Sequence, residues 1–271
     1  MGSCYVYIDG QAINILFEGE TALSPKFGNY MPTFQRGQTV LFVHGAGGNA
    51  NPWTPQMRAL AKDHTPVAID LPGHGNSGGI DGLTSIRAYS EFIKKFADTV
   101  GLPPFVLVGS SMGGAIALDF GINYPDRAKG LVLVATGAKI PIAAENLKAL
   151  KDAKDGKARV NPDRAAYSPK TSDEIVRRGW AEMAKTDVKI RYFDMVACNE
   201  YDVSGSLKNI KARTLIICGK DDVITPPSYS ETLKASIPSA QLELIDDAGH
   251  VVNAEKPDPF NAAVTKFLGT L

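Results

Sequence analysis

Ser111 stands at the centre of Gly109-Ser110-Ser111-Met112-Gly113, between the apolar run Phe105-Val106-Leu107-Val108 and a stretch from Met112 to Tyr124 that reads as helix and stops at Pro125. A serine on a sharp strand-to-helix turn has its hydroxyl pushed clear of the fold, and the positions two residues to either side must be small. Gly109 and Gly113 meet that demand, whereas Ser110 is flanked at the same spacing by Val108 and Met112. The five residues alone also fit a glycine-rich turn carrying an ordinary serine. The strand before and the helix after favour a nucleophile.

A serine hydroxyl is a poor nucleophile near neutral pH, so Ser111 needs a base within hydrogen-bond reach, and the base needs an orienting partner. The chain has 4 histidines. His44 begins a glycine-rich loop, His64 follows a helix in a polar stretch, and His74 lies in the turn after a strand. His250, in Asp246-Asp247-Ala248-Gly249-His250, lies just beyond the last expected strand, at the sheet edge expected to carry Ser111, and is the candidate base. His64 reads as a surface residue, and His44 and His74 as loop-shaping residues.

The acid belongs at another strand end, between Ser111 and His250 in sequence. Cys218-Gly219-Lys220-Asp221-Asp222 offers two candidates. Asp222 is preferred because it begins an apolar turn, Val223-Ile224-Thr225-Pro226, that leads inward, while Asp221 is expected to face solvent. Backbone donors must already point at the oxyanion that forms on an attacked carbonyl. The Met112 amide opens the helix after Ser111, where N–H groups lack intrahelical acceptors. The Ala46 amide is the second candidate, since Gly45, Gly47 and Gly48 let backbone approach closely.

The elements that must position these groups follow from the hydropathy pattern. Cys4 to Ile8 and Ile13 to Glu18, split by Asp9-Gly10, predict an N-terminal hairpin. Glu20 to Gln38 reads as a surface loop. Buried strands are then expected at Thr39 to Val43, Pro66 to Ile69, Phe105 to Val108 and Leu131 to Ala135, with helices ending near Lys62 and covering Ser85 to Val100 and Met112 to Tyr124. Strands ending in polar or glycine-rich loops imply a parallel sheet with a ligand-binding edge. From Gly137 to about Asn209 the alternation stops, and three helices are expected, at Ala144 to Ala153, Ser172 to Lys185 and Lys189 to Cys198. The sheet resumes at Thr214 to Cys218, followed by a helix at Ser228 to Ser236, a strand at Gln241 to Ile245 and a helix from Pro257 to Leu268. The fold class is therefore α/β, with a core of residues 1–138 and 210–271 and a helical insertion at 139–209 lying over the strand ends.

A chain of 271 residues buries enough surface for one large core, from about 42,000 Å² unfolded to about 11,400 Å² folded. Lys plus Arg and Asp plus Glu both total 29, without long blocks of one sign, which argues against a nucleic-acid footprint or a polybasic membrane patch. No secretory signal, myristoylation motif or membrane-length apolar stretch is read, so no membrane anchor is expected. Cys4, Cys198 and Cys218 are far apart and odd in number, which suits a reducing, cytoplasmic setting and argues against a disulfide framework or a paired-cysteine metal site. No metal or cofactor is expected.

Taken together, His44-Gly45-Ala46-Gly47-Gly48, Asp70-Leu71-Pro72-Gly73-His74-Gly75-Asn76-Ser77, the Ser111 pentapeptide, Gly219-Lys220-Asp221-Asp222 with Pro226, and Gly249-His250 closely resemble the α/β-hydrolase superfamily across nearly the whole chain. The resemblance implies Ser111 as nucleophile, Asp222 as acid, His250 as base, Ala46 and Met112 as oxyanion donors, and residues 139–209 as a cap. Epoxide hydrolases and haloalkane dehalogenases of that superfamily carry Asp at the nucleophile position, where Ser111 stands here. Hydrolases of aromatic ring-cleavage products usually place an aromatic residue where this chain has Val251, and cofactor-free perhydrolases often have Trp where it has Ala46. The implied activity is acyl transfer from a small-molecule ester-type substrate, as in a carboxylesterase, lactonase or thioesterase. A C–C bond hydrolase of a diketone-type substrate and a small-molecule receptor that keeps the triad remain as alternatives. Trp180, Met183, Tyr192, Phe193, Met195 and Tyr201 are candidates for an acyl pocket, although apolar residues on amphipathic helices usually serve packing.

Overall fold

Alternate side chains along the central strands feed two different cores, as continuous apolar runs in a sheet covered on both faces require. Leu41 and Val43, Phe105 and Leu107, and Leu131 and Leu133 pack into one core, while Val40 and Phe42, Val106 and Val108, and Val132 and Val134 pack into the other. The structure, a computed structural model, describes residues 1–79, 81–160 and 163–271. Ile80, and Asn161 and Pro162 inside the expected insertion, lie outside the described residues.

Strands β1 (Gly2–Ile8) and β2 (Gln11–Phe17) form the expected hairpin, turned by Asp9 and Gly10 at φ of 51° and 78°. The stretch read as a surface loop contains a small antiparallel ribbon, β3 (Thr21–Leu23) with β4 (Tyr30–Pro32). Segments of three residues are too short to show a strand period in sequence. Alternation then proceeds through β5 (Thr39–Val43), α1 (Thr54–Leu60), β6 (Thr65–Ile69), α2 (Ile86–Val100), β7 (Phe105–Ser110), α3 (Met112–Asn123) and β8 (Ala128–Val134). Helices α4 (Ala144–Lys154), α5 (Asp173–Met183) and α6 (Val188–Glu200) follow without an intervening strand. The chain ends with β9 (Arg213–Gly219), α7 (Pro227–Ser236), β10 (Gln241–Ile245), a short α8 (Val252–Glu255) not anticipated from sequence, and α9 (Pro257–Leu268).

The main sheet has 8 strands in the order β1-β2-β6-β5-β7-β8-β9-β10, parallel from β6 to β10. Strands β6 and β7 lie on opposite sides of β5, so the loops after β5 and β7 diverge at a topological switch point, where such sheets open a crevice. Residues of α2, α3 and α7 cover one face, and those of α1 and α9 cover the other. Helix α3 is buried from Met112 through Gly121, so its apolar character extends around the helix. Helix α2 starts at Ser85, whose hydroxyl accepts from Ala88 N at 3.1 Å, and ends at Gly101 in the left-handed region.

The inserted stretch leaves and rejoins the sheet side by side. Lys139 pairs antiparallel with Asp202, and Val203 N donates to Ala138 O at 2.9 Å. The exposed surface, 11779 Å², is close to the value of about 11,400 Å² expected for a compact chain of this size. No helix among the described residues is long and apolar enough to cross a membrane.

Candidate active site

Ser111 sits between β7 and α3 at φ 53° and ψ −116°, a conformation that costs a non-glycine residue energy and persists only where its surroundings impose it. The surroundings are very close. A Cβ on Gly109 would lie 2.0 Å from Gly113 O, and one on Gly113 would lie 2.4 Å from Val43 O. Both glycines are therefore small because strand, turn and helix pass within backbone contact. Ser111 itself is half-buried, and a Cβ on Gly45 would lie 3.2 Å from its Cβ, so the loop after β5 borders the serine directly.

Asp222, just past β9, and His250, past β10, meet at the same sheet edge. His250 Nδ1 lies 2.9 Å from Asp222 Oδ2 and 3.2 Å from Oδ1. The Asp222 side chain has no exposed surface, and its oxygens also accept from Ile224 N, Thr225 N and Thr225 Oγ1, each at 2.9 Å. Burial works against the Asp222 charge, but the hydrogen bond and charge of His250 and the bonds from Thr225 together outweigh it and hold its pKa below the ordinary carboxylate value. An imidazole whose Nδ1–H is committed to a carboxylate presents Nε2 as an acceptor.

Asp221, expected to face solvent, is instead half-buried and accepts from Ser168 Oγ at 2.5 Å. The inserted stretch folds back onto this corner, which sequence reading did not foresee.

In the loop after β5, Gly48 N donates to Gly45 O at 3.0 Å and Gly47 N donates to Asp194 Oδ2 at 2.8 Å. Those bonds commit the Gly47 and Gly48 amides, and the Ala46 amide has no protein acceptor among the described residues. Met112 opens α3, so its amide lacks an intrahelical acceptor. His44 and His74 shape loops, as expected. His44 Nε2 accepts from Leu71 N at 3.1 Å and its Nδ1 donates to Gly45 O at 2.8 Å. Burial, aided by the charge of His74, lowers the His44 pKa to about 4, so the ring is neutral. Asp70 holds the neighbouring loop by accepting from Ala50 N, Asn76 N and Asn14 Nδ2 at 2.7 to 2.9 Å. His64 is half-buried, its Nδ1 accepting from Gln38 N at 3.1 Å.

The pocket candidates make contacts within the insertion. Trp180 Nε1 donates to Asp163 O at 3.0 Å, Tyr192 and Phe193 meet edge to face at 5.4 Å, and Lys154 lies over the Tyr192 ring. Met183 is exposed, Met195 is half-buried, and Tyr201 is a core residue with its hydroxyl bonded to Ala115 O.

Three residues of consequence escaped sequence reading. Asp194, fully buried on α6, bonds to Gly47 N, His74 Nε2 and Tyr89 OH. Arg191, one turn earlier, lays its Cγ where a Gly47 Cβ would stand, 2.6 Å away. Burial alone pulls its guanidinium pKa below the arginine value, and it has no carboxylate partner among the described residues. Glu255 accepts from Gly249 N and Val251 N, on either side of His250, and from Ser168 N and Thr171 Oγ1 of the insertion. Apart from Gly249 and Val251 beside Glu255, the groups they touch lie far away in sequence, so no local pattern marks them.

The model of the alpha/beta hydrolase family matches residues 40–263, spanning the Ser111, Asp222 and His250 loops. This chain belongs to the α/β-hydrolase family. It is 30% identical over 257 residues to a 2-hydroxy-6-oxo-6-phenylhexa-2,4-dienoate hydrolase of Burkholderia cepacia, covering 86% of this chain and 88% of that protein. Among solved structures it resembles an enol-lactonase from Burkholderia xenovorans LB400 (TM-score 0.83, 20% identity, 98% of this chain and 100% of that one), a likeness of fold. It also resembles a thermophilic esterase at TM-score 0.78 and 29% identity, covering 99% of this chain and 98% of the other. As an α/β-hydrolase, the protein is a hydrolytic enzyme.

Proposed function

We propose that this α/β-hydrolase cleaves an ester-type bond, in a carboxylic ester, lactone or thioester, through an acyl-enzyme on Ser111. The observation that carries the reading is a buried Asp222 carboxylate held 2.9 Å from His250 Nδ1, at the sheet edge where Ser111 stands on a strained turn. Ser111 Oγ attacks the carbonyl carbon as its proton passes to His250 Nε2. The carbonyl oxygen takes the charge and is met by the Ala46 and Met112 amides, each worth about 10²-fold to 10³-fold in rate. His250 then protonates the departing oxygen or sulfur, the C–O or C–S bond breaks, and the acyl group remains on Ser111. Water attacks the acyl carbon in turn, giving a proton to His250; the acyl C–Oγ bond breaks, the carboxylic acid leaves, and His250 returns the proton to Ser111 Oγ. Residues 139–209 act as a cap over this site.

Arg191 refines the substrate class. A half-buried guanidinium without a carboxylate partner among the described residues, lying against the loop that carries Ala46, suits a substrate bearing an anionic group, which it would bind by charge-assisted hydrogen bonds. A carboxylate is also present, by name, in the substrate of the Burkholderia cepacia relative. That relative supports a second reading, cleavage of a C–C bond next to a ketone. Val251, in place of an aromatic residue after His250, counts against it.

A fluorophosphonate probe should form an adduct at Ser111 of the folded enzyme, and Ser111→Ala should lower turnover of a short-chain aryl ester by up to about 10⁶-fold. An unlabelled Ser111, or a Ser111→Ala enzyme with wild-type turnover, would remove this reading. Release of an acid from vinylogous diketones, with aryl and alkyl esters left intact, would favour C–C cleavage instead.

A further inference from the structure

We infer that Asp194 is a positioning residue for the oxyanion loop: a carboxylate on a cap helix that sets the aim of the Ala46 amide by holding the peptide that follows it. The inference rests on the reading of Ser111 as nucleophile and Ala46 as donor.

A carboxylate without exposed surface is costly unless its oxygens are satisfied. Asp194 is satisfied by three different core elements: Gly47 N at 2.8 Å from the loop after β5, His74 Nε2 at 2.7 Å from the loop after β6, and Tyr89 OH at 2.8 Å from α2. Both ring nitrogens of His74 face oxygens, Asp194 Oδ2 at 2.7 Å and Pro72 O at 3.0 Å, so the ring is held between the carboxylate and its own loop.

The consequence for the loop is geometric. The peptide between Ala46 and Gly47 carries the N–H that Asp194 accepts, so Asp194 fixes the orientation of that plane. The Gly48 N to Gly45 O bond closes the turn at 3.0 Å from the other side. Gly47 stands at φ 64°, a conformation favourable to glycine, with the Arg191 stem packed where a side chain would be. Between these restraints the Ala46 amide is left without a protein acceptor among the described residues, next to Gly45, where a Cβ would lie 3.2 Å from that of Ser111.

A role as mere adhesive for the cap is weakened by the number of other attachments. Glu182 receives bonds from Asn49 and Asn51, Thr186 Oγ1 donates to Gly48 O, and Glu255 holds Ser168 and Thr171. The cap has anchors without Asp194, whereas the Gly47 amide has no other acceptor among the described residues.

The deciding experiment is Asp194→Asn in the full-length enzyme, assayed with an aryl ester. An asparagine has one acceptor oxygen and must turn its amide toward one of the three donors. Expected is a fall in kcat of about 10-fold to 100-fold with KM within about twofold, since one oxyanion donor is misaimed rather than deleted. Inhibition by an aryl trifluoromethyl ketone, whose adduct with Ser111 carries the oxyanion, should weaken by the same factor as kcat/KM. An unchanged kcat, whatever happens to KM or Tm, overturns the proposal. Should Asp194→Asn fail to fold, Tyr89→Phe decides. A fall in kcat of about threefold or more with parallel loss of ketone affinity supports the proposal, and wild-type values overturn it. Ser111→Ala assayed alongside separates the two claims. If it retains turnover, the nucleophile reading fails; if it is inactive while Asp194→Asn is as fast as wild type, only the positioning role fails.

Discussion

Gly109 and Gly113 meet so closely that a single methyl group on the first would lie 2.0 Å from the carbonyl oxygen of the second. Neither backbone can yield, because one belongs to the central strand β7 and the other to the buried helix α3. Gly109→Ala is expected to cost about 3 kcal/mol or more, or to prevent folding. Gly101→Ala is the control: at φ 74° with nothing within 4 Å of a Cβ, it is strained without a clash and should cost only about 1–2 kcal/mol. Urea unfolding of both variants checks the ranking, and equal costs would show that the elbow is not sterically closed.

Stability should depend on pH through His44. Burial and the charge of His74 lower its pKa from 6.5 to about 4. Below pH 6.5 the unfolded chain takes up a proton that the folded chain refuses until about pH 4. Stability contributed by the neutral ring is therefore complete above 6.5, declines as pH falls through that window, and levels off beneath it. The loss is on the order of 3 kcal/mol. Urea melts at about pH 7, 5.5 and 4 should show it, and His44→Asn should flatten the dependence. Wild type and variant with equal slopes would assign the pH response elsewhere.

Arg191→Gln should raise KM for an ester or lactone carrying a carboxylate by about 10-fold to 100-fold, the worth of a charge-assisted hydrogen bond, while a neutral ester of the same size is little affected. Competition between the two substrates measures the ratio directly. Equal effects on both would mean that the guanidinium serves packing.

Glu255→Gln should loosen the His250 loop. The carboxylate accepts four donors, from Gly249, Val251, Ser168 and Thr171, and an amide nitrogen in place of one oxygen must face two of them. A destabilisation of about 2–4 kcal/mol is expected from the donors left unpaired, with a fall in kcat of roughly 10-fold, because His250 lies between two of those amides. Thermal unfolding and steady-state kinetics test both parts. A variant as stable and as fast as wild type would deny Glu255 this role.

Where a signal is local, the chain declares it. Strand β7, the glycines two residues either side of Ser111 and the stop at Pro125 are contiguous, Asp222 follows the apolar run of β9, and His250 follows the alternating run of the edge strand β10. The ribbon formed by β3 and β4 and the single turn of α8 were too short to show a period, and sequence reading passed over them.

The sequence by itself determined the alternation of strands and helices, the helical stretch between β8 and β9 and the identity of the residues at each strand end, because these depend on hydrophobic period and on backbone sterics between near neighbours. Only the tertiary structure showed which buried or half-buried charged side chains lie against the loops of the candidate site. Asp194 reaches Gly47 across 147 positions, and Glu255 reaches Ser168 across 87. Arg191 is set apart by having no carboxylate partner among the described residues. Pairings of that kind carry no periodicity along the chain, since they arise only when the insertion folds back over the sheet and removes these groups from water.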